Sequence, residues 1–137
     1  MEEPIDRTIK VFQEARQCAQ DPSDQALLSK QVEALNAIRA TLVRHGAMRY
    51  QIDSFEKLIS DPWMNDQMIF AEVYGAWKTF KNSYVRKIGG MTVNERLFHM
   101  GLLADFEASE GDASRMRSIL RAVFLSSENI EAIVKPP

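Results

Sequence analysis

The stretch "MIFAEVYGAWKTFKNSYVRKIGG" at residues 68–90 decides the fold of this 137-residue chain. Its apolar residues recur every three or four positions, which places them along one side of an α-helix. They are Ile69, Val73, Trp77, Phe80, Tyr84 and Ile88. Phe70 and Tyr74 widen this stripe, so we expect the helix to contact neighbours on more than one side. We therefore predict that it forms the centre of an all-α helical bundle.

Helical spacing also extends outward from this centre in both directions, and no segment alternates convincingly as a strand would. The pattern predicts about six or seven helices in a single domain that covers residues 1–137. A seam is expected near Gly89 and Gly90, between an N-terminal four-helix part and a C-terminal three-helix module. The further apolar stripes lie at residues 5–19, 28–42, 53–60, 97–106, 116–123 and 130–134.

Local signals predict where these helices begin and end. Short polar side chains are suited to cap helix N-termini, proline is tolerated at the first helical position, and glycine is suited to the left-handed residue that closes a helix. N-caps are predicted at Asp21, Asp53, Asp61, Thr92, Asp112 and Ser126 or Ser127, with capping boxes at Asp53 with Glu56 and at Thr92 with Glu95. Helix stops are predicted at Gly46, Gly89 and Gly111.

The segment "MTVNERLFHMGLLADFEASEGDASRMRSILRAVFLSSENIEAIV" at residues 91–134 resembles a group of small uncharacterised bacterial proteins. Those proteins open with Met-Ser/Thr-Val-Asn-Glu-Arg-Leu and continue with Gly-Leu-(Leu)-x-x-Phe and Ile-Leu-x-x-Val. The resemblance implies an all-helical module and no activity, and no family is recognised for residues 1–90. Because fewer than 50 residues seldom fold alone, we expect the module to dock on the first four helices or on a second copy.

Composition indicates an ordinary globular protein of the cytoplasm. The formal charge of −2 comes from 17 basic and 19 acidic residues without long single-sign runs, so no general field attracts nucleic acid or a membrane. No apolar run approaches a membrane span, and the N-terminus lacks the pattern of a secretion signal. The single cysteine, Cys18, cannot form an internal disulfide, and we expect it to be buried and structural.

The candidates for chemistry are few. Glu95 and His99 share a helical face at a spacing used by metal sites, but two ligands do not close a site. The repeated Glu-x-x-His pairs of di-iron bundles are absent, as are a phosphate loop, a nucleophile elbow and a zinc cluster. The sequence therefore predicts a protein that is not an enzyme, with no metal and no cofactor.

Two groups of cations are candidates for contact with a charged partner. Arg115, Arg117 and Arg121 are expected to point outward from a helix over residues 112–124, in an arrangement somewhat like a helix-turn-helix. Lys78 and Lys81 lie among aromatic residues, as in sites for single-stranded nucleic acid. The aromatic rings repeat at the spacing of core residues, and acidic residues lie beside the arginines. Both features argue against binding of nucleic acid, so a DNA-binding regulator is kept only as an alternative prediction.

Surplus apolar surface favours association with another protein. The second helix, with Leu35 and Leu42, has nearly heptad spacing, and a homodimer would bury the excess. A second alternative is a small-molecule pocket between helices, lined by Trp77, Tyr74 and methionines. We predict a non-enzymatic protein-interaction or regulatory module that self-associates and whose other partners are unknown.

Overall fold

The computed structural model describes residues 3–135, and within them the protein is all-α with eight helices. The helices are α1 (Pro4–Cys18), α2 (Pro22–Val43), α3 (Met48–Ser60), α4 (Gln67–Gly89), α5 (Val93–His99), α6 (Leu103–Ala108), α7 (Ala113–Ala122) and α8 (Ser127–Val134). The predicted all-α class is confirmed. The predicted count of six or seven is too low by at least one.

The additional helix arises because the predicted fifth helix is broken into α5 and α6. Gly101 lies between them with φ of +69°. Its N–H donates to the carbonyl of Phe98 at 3.1 Å, and the N–H of Leu102 donates to the carbonyl of Leu97 at 2.8 Å. These two bonds form a Schellman motif, which ends a helix. The apolar spacing continues across the break, so periodicity alone does not reveal it.

The predicted starts of α3 and α4 are wrong. Asp53 is not an N-cap, because α3 begins five residues earlier at Met48. Asp61 does not begin α4 either; the helix begins at Gln67, where the Oδ1 atom of Asp66 accepts the N–H groups of Met68 and Ile69, both at 3.1 Å. Asp66 therefore performs the capping role predicted for Asp61, and residues 61–66 form a connecting loop.

The remaining N-cap predictions are confirmed. The Oδ1 atom of Asp21 accepts the N–H groups of Ser23 at 2.8 Å and Asp24 at 3.1 Å. Thr92 forms the predicted capping box with Glu95. Asp112 caps α7 and Ser126 caps α8 through side-chain oxygens, as the polar residues before each apolar stripe indicate.

The prediction that Gly89 adopts a left-handed conformation is wrong. Among the described glycines, positive φ is found at Gly101 and Gly111. Two larger residues also have positive φ, namely His45 at 53° and Phe124 at 65°. His45 ends α2 in a Schellman motif, in which the N–H of Gly46 donates to the carbonyl of Thr41 at 2.8 Å. A helix stop was predicted at Gly46, but the residue with the left-handed conformation is His45.

Packing divides the described chain into two compact units. The first unit comprises the described residues up to Ala40 together with Gln51–Tyr84, and the second comprises Thr41–Tyr50 together with the described residues from Val85 onward. The boundaries fall inside α2, α3 and α4. One of them lies a few residues before the predicted seam at Gly89.

An aromatic cluster forms the centre of the first unit. The ring centroids of Phe55 and Trp77 are 4.3 Å apart, those of Phe12 and Phe55 are 5.7 Å apart, and those of Trp77 and Phe80 are 5.8 Å apart. The indole N–H of Trp77 donates to the Oε1 atom of Glu56 at 2.9 Å. Trp77 is completely buried, so the stripe that it belongs to packs in the core as predicted.

The second unit is organised around the guanidinium of Arg96. Its Nη1 atom donates to the carbonyls of Val123 and Phe124, both at 3.2 Å, and its Nη2 atom donates to the carbonyl of Gly89 at 3.2 Å. Its Nε atom donates to the carbonyl of Met91 at 3.1 Å. One cation therefore occupies the negative ends of both α4 and α7, where backbone carbonyls lack helical partners.

Candidate interaction surfaces

The predicted arginine face on α7 is largely occupied by neighbouring carboxylates. Arg117 donates from Nε to both carboxylate oxygens of Glu131, at 3.0 and 3.2 Å, and this bond lowers the pKa of Glu131. The Nη2 atom of Arg115 lies 3.9 Å from Asp105. Arg121 has an exposed side chain. The structure thus leaves two of the three arginines beside acids, which weakens attraction for phosphate.

The two lysines on α4 have different surroundings. The Nζ atom of Lys81 donates to the Oε1 atom of Glu56 at 2.7 Å. Burial raises the pKa of Glu56, but the bonds from Lys81 and Trp77 together hold it below its ordinary value. The Nζ atom of Lys78 lies 5.6 Å from the centre of the Tyr74 ring. Both lysines belong to the first unit, whereas the arginines belong to the second.

Cys18 is exposed, so the prediction of a buried structural cysteine is wrong. The buried side of α1 includes Ile9, Phe12 and Ala15. Successive residues turn by about 100° around a helix, and Cys18 is therefore rotated away from the apolar stripe. Neighbours in sequence do not share a helical face, which the expectation overlooked.

An exposed tryptophan is the most unusual feature of the first unit. Trp63 is 73% exposed and lies in the loop formed by residues 61–66, which we call the Trp63 loop. The next residue, Met64, is 1% exposed and anchors the loop in the core. Large aromatic residues are normally buried because their apolar area is large. A tryptophan beside a buried anchor therefore marks a candidate contact residue.

A buried carboxylate holds the Trp63 loop in place. Asp24 is 1% exposed, and its two oxygens accept the N–H groups of Asn65 at 2.8 Å and Asp66 at 2.9 Å. The side-chain amide of Asn65 also donates to the Oδ2 atom of Asp21 at 3.1 Å. Backbone N–H donation, chiefly from Asp24, lowers the pKa of Asp21. The loop is thus fixed by three bonds to the start of α2.

The surroundings of the Trp63 loop are acidic. Asp21, Asp24 and Asp66 line an open groove together with Met68, which is 85% exposed. Asp61 is exposed at the start of the loop. No group of three or more His, Cys, Asp or Glu residues suited to a metal ion occurs among the described residues 3–135. We therefore interpret the groove as a negatively charged surface rather than as a metal site.

The second unit contains a cleft beside an exposed phenylalanine. Phe98 is 66% exposed, although the sequence places it in an apolar stripe. It lines a cleft of about 340 Å³, which we call the Phe98 cleft. The other lining residues are Arg44, His45, Gly101, Leu103 and Ala104. An aromatic ring at the edge of a concave, partly apolar site is a second candidate contact surface.

Two helix ends meet at the Phe98 cleft and bring the two histidines together. His45 ends α2 and Gly101 follows α5, and a Cβ atom on Gly101 would lie 2.3 Å from the carbonyl oxygen of His45. Only glycine fits this approach without a shift of the backbone. The ring centroid of His45 lies 5.9 Å from that of Phe98 and 5.3 Å from that of His99.

The lining of the Phe98 cleft carries a fixed positive charge at Arg44. Burial lowers the pKa of His99, and the electrostatic influence of Lys87 and His45 lowers it further. Arg44 lines the cleft, and no acidic residue occurs between Glu33 and Asp53 in the sequence. The Oε1 atom of Glu95, which shares a helix with His99, accepts the N–H of Thr92 at 3.1 Å as a cap.

Sequence reasoning found neither surface, because each depends on contacts between distant parts of the chain. His45 and His99 come together only through tertiary packing, and Asp24 reaches Asn65 across 41 residues. Comparison of the chain with protein-family models, curated proteins and solved structures finds no match. No helix over the described residues is both long enough and apolar enough to span a membrane. The resemblance of residues 91–134 stays a prediction.

Proposed function

We propose that the protein is a non-enzymatic protein-interaction module and that Trp63 is its principal contact residue. The observation that carries the proposal is the presentation of an exposed tryptophan on a loop that a buried carboxylate holds in place. Within this proposal the protein self-associates in a bacterial cytoplasm, as the sequence predicts.

The energetics of the loop support a binding role. Burying a carboxylate is unfavourable unless its oxygens receive hydrogen bonds, and Asp24 receives them from the backbone of the Trp63 loop. The result is a fixed loop conformation before any partner arrives. Binding then requires little further ordering, and this preorganisation favours affinity. Tryptophan is also among the residues that most often dominate the energy of protein interfaces.

Affinity capture from the cells that produce the protein tests this proposal. We compare the wild-type protein with Trp63→Ala, and use Tyr50→Ala as the matched control because Tyr50 is an aromatic residue of similar exposure, 78%. Quantitative mass spectrometry after crosslinking is expected to show at least about a tenfold loss of bound protein for Trp63→Ala. This is the loss of binding expected when one hot-spot residue is truncated. Equal retention by both variants would refute the role of Trp63.

A further inference from the structure

We propose that Trp63 of one copy of this chain binds in the Phe98 cleft of a second copy. This inference rests on the proposed function and names the partner of the same residue. The reason to choose a second copy is that a single chain exposes both halves of a complementary pair. One half is an acidic surface with a protruding aromatic residue, and the other is a cationic cleft with an apolar edge.

Charge complementarity supports this pairing. The sequence segments of the first unit contain twelve Asp or Glu residues and eight Lys or Arg residues, whereas those of the second contain seven and nine. Asp61 and Asp66 lie on either side of Trp63 in its loop, and Arg44 lines the cleft. Opposite charges around an apolar contact steer encounter and set orientation.

The size and chemistry of the cleft suit one aromatic side chain. Its volume of about 340 Å³ is near the lower end for ligand sites, which span roughly 300 to 1,000 Å³. Phe98 and Leu103 offer apolar contact, and the guanidinium of Arg44 can lie over the face of an indole. Docking would cover two exposed aromatic residues, Trp63 and Phe98, in one contact.

The test is a complementation experiment on the full-length protein. Trp63→Ala removes the inserted side chain but keeps the cleft, and Phe98→Ala alters the cleft but keeps the tryptophan. We expect each variant alone to self-associate at least about tenfold more weakly than the wild type in sedimentation velocity at low salt, as hot-spot truncations do. An equimolar mixture should regain complexes that contain one chain of each kind, identified by native mass spectrometry. Tyr50→Ala should associate like the wild type.

Intrinsic fluorescence gives an independent readout. Trp77 is already completely buried, so a blue shift of the emission with increasing protein concentration reports burial of Trp63. Arg44→Glu serves as a second cleft variant in case Phe98→Ala fails to fold. It should reduce both the association and the blue shift, because it places an acid opposite the acidic Trp63 loop.

Three results would overturn the inference: a wild-type protein that stays monomeric at every concentration, dimers that persist in Trp63→Ala, or a mixture that gains no association. These results are distinct from failure of the proposed function. If the wild type stays monomeric while capture of other proteins still depends on Trp63, the inference and the self-association fail, and the role of Trp63 as a contact residue for other proteins stands. If capture is independent of Trp63, the proposed function fails as well.

Discussion

The two units are stabilised by different means. The first is built from long helices around interlocking aromatic rings, with Trp77 between Phe55 and Phe80. The second contains several helices of six to ten residues, and arginine side chains bind the carbonyl ends of α7 and of the longer helix α4. Short helices have a large share of unpaired backbone groups, so satisfying their ends matters more. The second unit also has a buried apolar core, which includes Leu97, Met100 and Leu120, and the comparison teaches that charged donors at helix ends add to such a core.

The C-terminus of α7 shows how charged side chains satisfy the carbonyl groups at the end of a helix. Arg96 donates to the carbonyls of Val123 and Phe124, and the Nη1 atom of Arg49 donates to the carbonyl of Arg121 at 3.1 Å. The guanidinium carbon of Arg49 also lies 4.6 Å from the centre of the Phe124 ring. Three carbonyls of one helix terminus therefore receive charged donors from two distant side chains.

The largest expected effect is on a fragment of residues 91–137. We expect it to be largely unfolded by circular dichroism, because it lacks the residues 41–50 and 85–90 that complete the second unit. Arg96 would lose the carbonyl of Gly89, and the carbonyl of Arg121 would lose Arg49. A cooperative, monomeric melt of this fragment would show that the end contacts are dispensable.

Arg96→Met should have the next largest effect. The side chain keeps much of its apolar length but loses all its donors, so we expect a loss of about 3 kcal/mol in the free energy of unfolding, measured with urea. Lys81→Met is the matched control in the first unit, where the half-buried pair with Glu56 should contribute less than about 1 kcal/mol. Equal effects of the two substitutions would contradict the comparison.

The smallest expected effect is a dependence of stability on pH in the second unit. The pKa of His99 in the folded protein lies below its ordinary value of 6.5, because of burial and the electrostatic influence of Lys87 and His45. The unfolded chain therefore takes up a proton more readily, and the free energy of unfolding should fall as pH drops below 6.5. Arg44 adds a further positive charge at the cleft.

His99→Asn should reduce this dependence. Urea midpoints measured between neutral pH and about pH 5.5, within the range in which histidine titrates, compare the variant with the wild type. A wild-type urea midpoint that is constant over this range would show that His99 does not make the stability depend on pH. A variant with the same decline as the wild type would assign the effect to other residues.

Local information in the sequence predicts much of the fold. The stripe of α4 and the caps at Asp21, Thr92, Asp112 and Ser126 are short-range features, and the structure contains each of them. Structural roles also account for the residue types in the run at positions 91–97. Thr92 and Glu95 cap α5, Arg96 binds helix ends, and Leu97 is completely buried. These roles concern folding.

Features that depend on tertiary contacts could not be predicted. The start of α4 shifts from Asp61 to Asp66 because Asp24 binds the loop between them, and no local signal announces that contact. The break at Gly101 could not be predicted, because apolar residues continue at helical spacing on both sides of it. The candidate surfaces could not be predicted for a related reason: Phe98 belongs to an apolar stripe that predicts burial, and no local pattern indicates that Trp63 is exposed.

The exposed thiol of Cys18 gives the molecule a single covalent handle. It is the only cysteine in the sequence, and it lines the acidic groove with Asn65 of the Trp63 loop. A maleimide dye or a nitroxide would therefore attach to every molecule at one known place. Energy transfer between donor-labelled and acceptor-labelled molecules could then follow assembly in real time, without adding or removing any other residue.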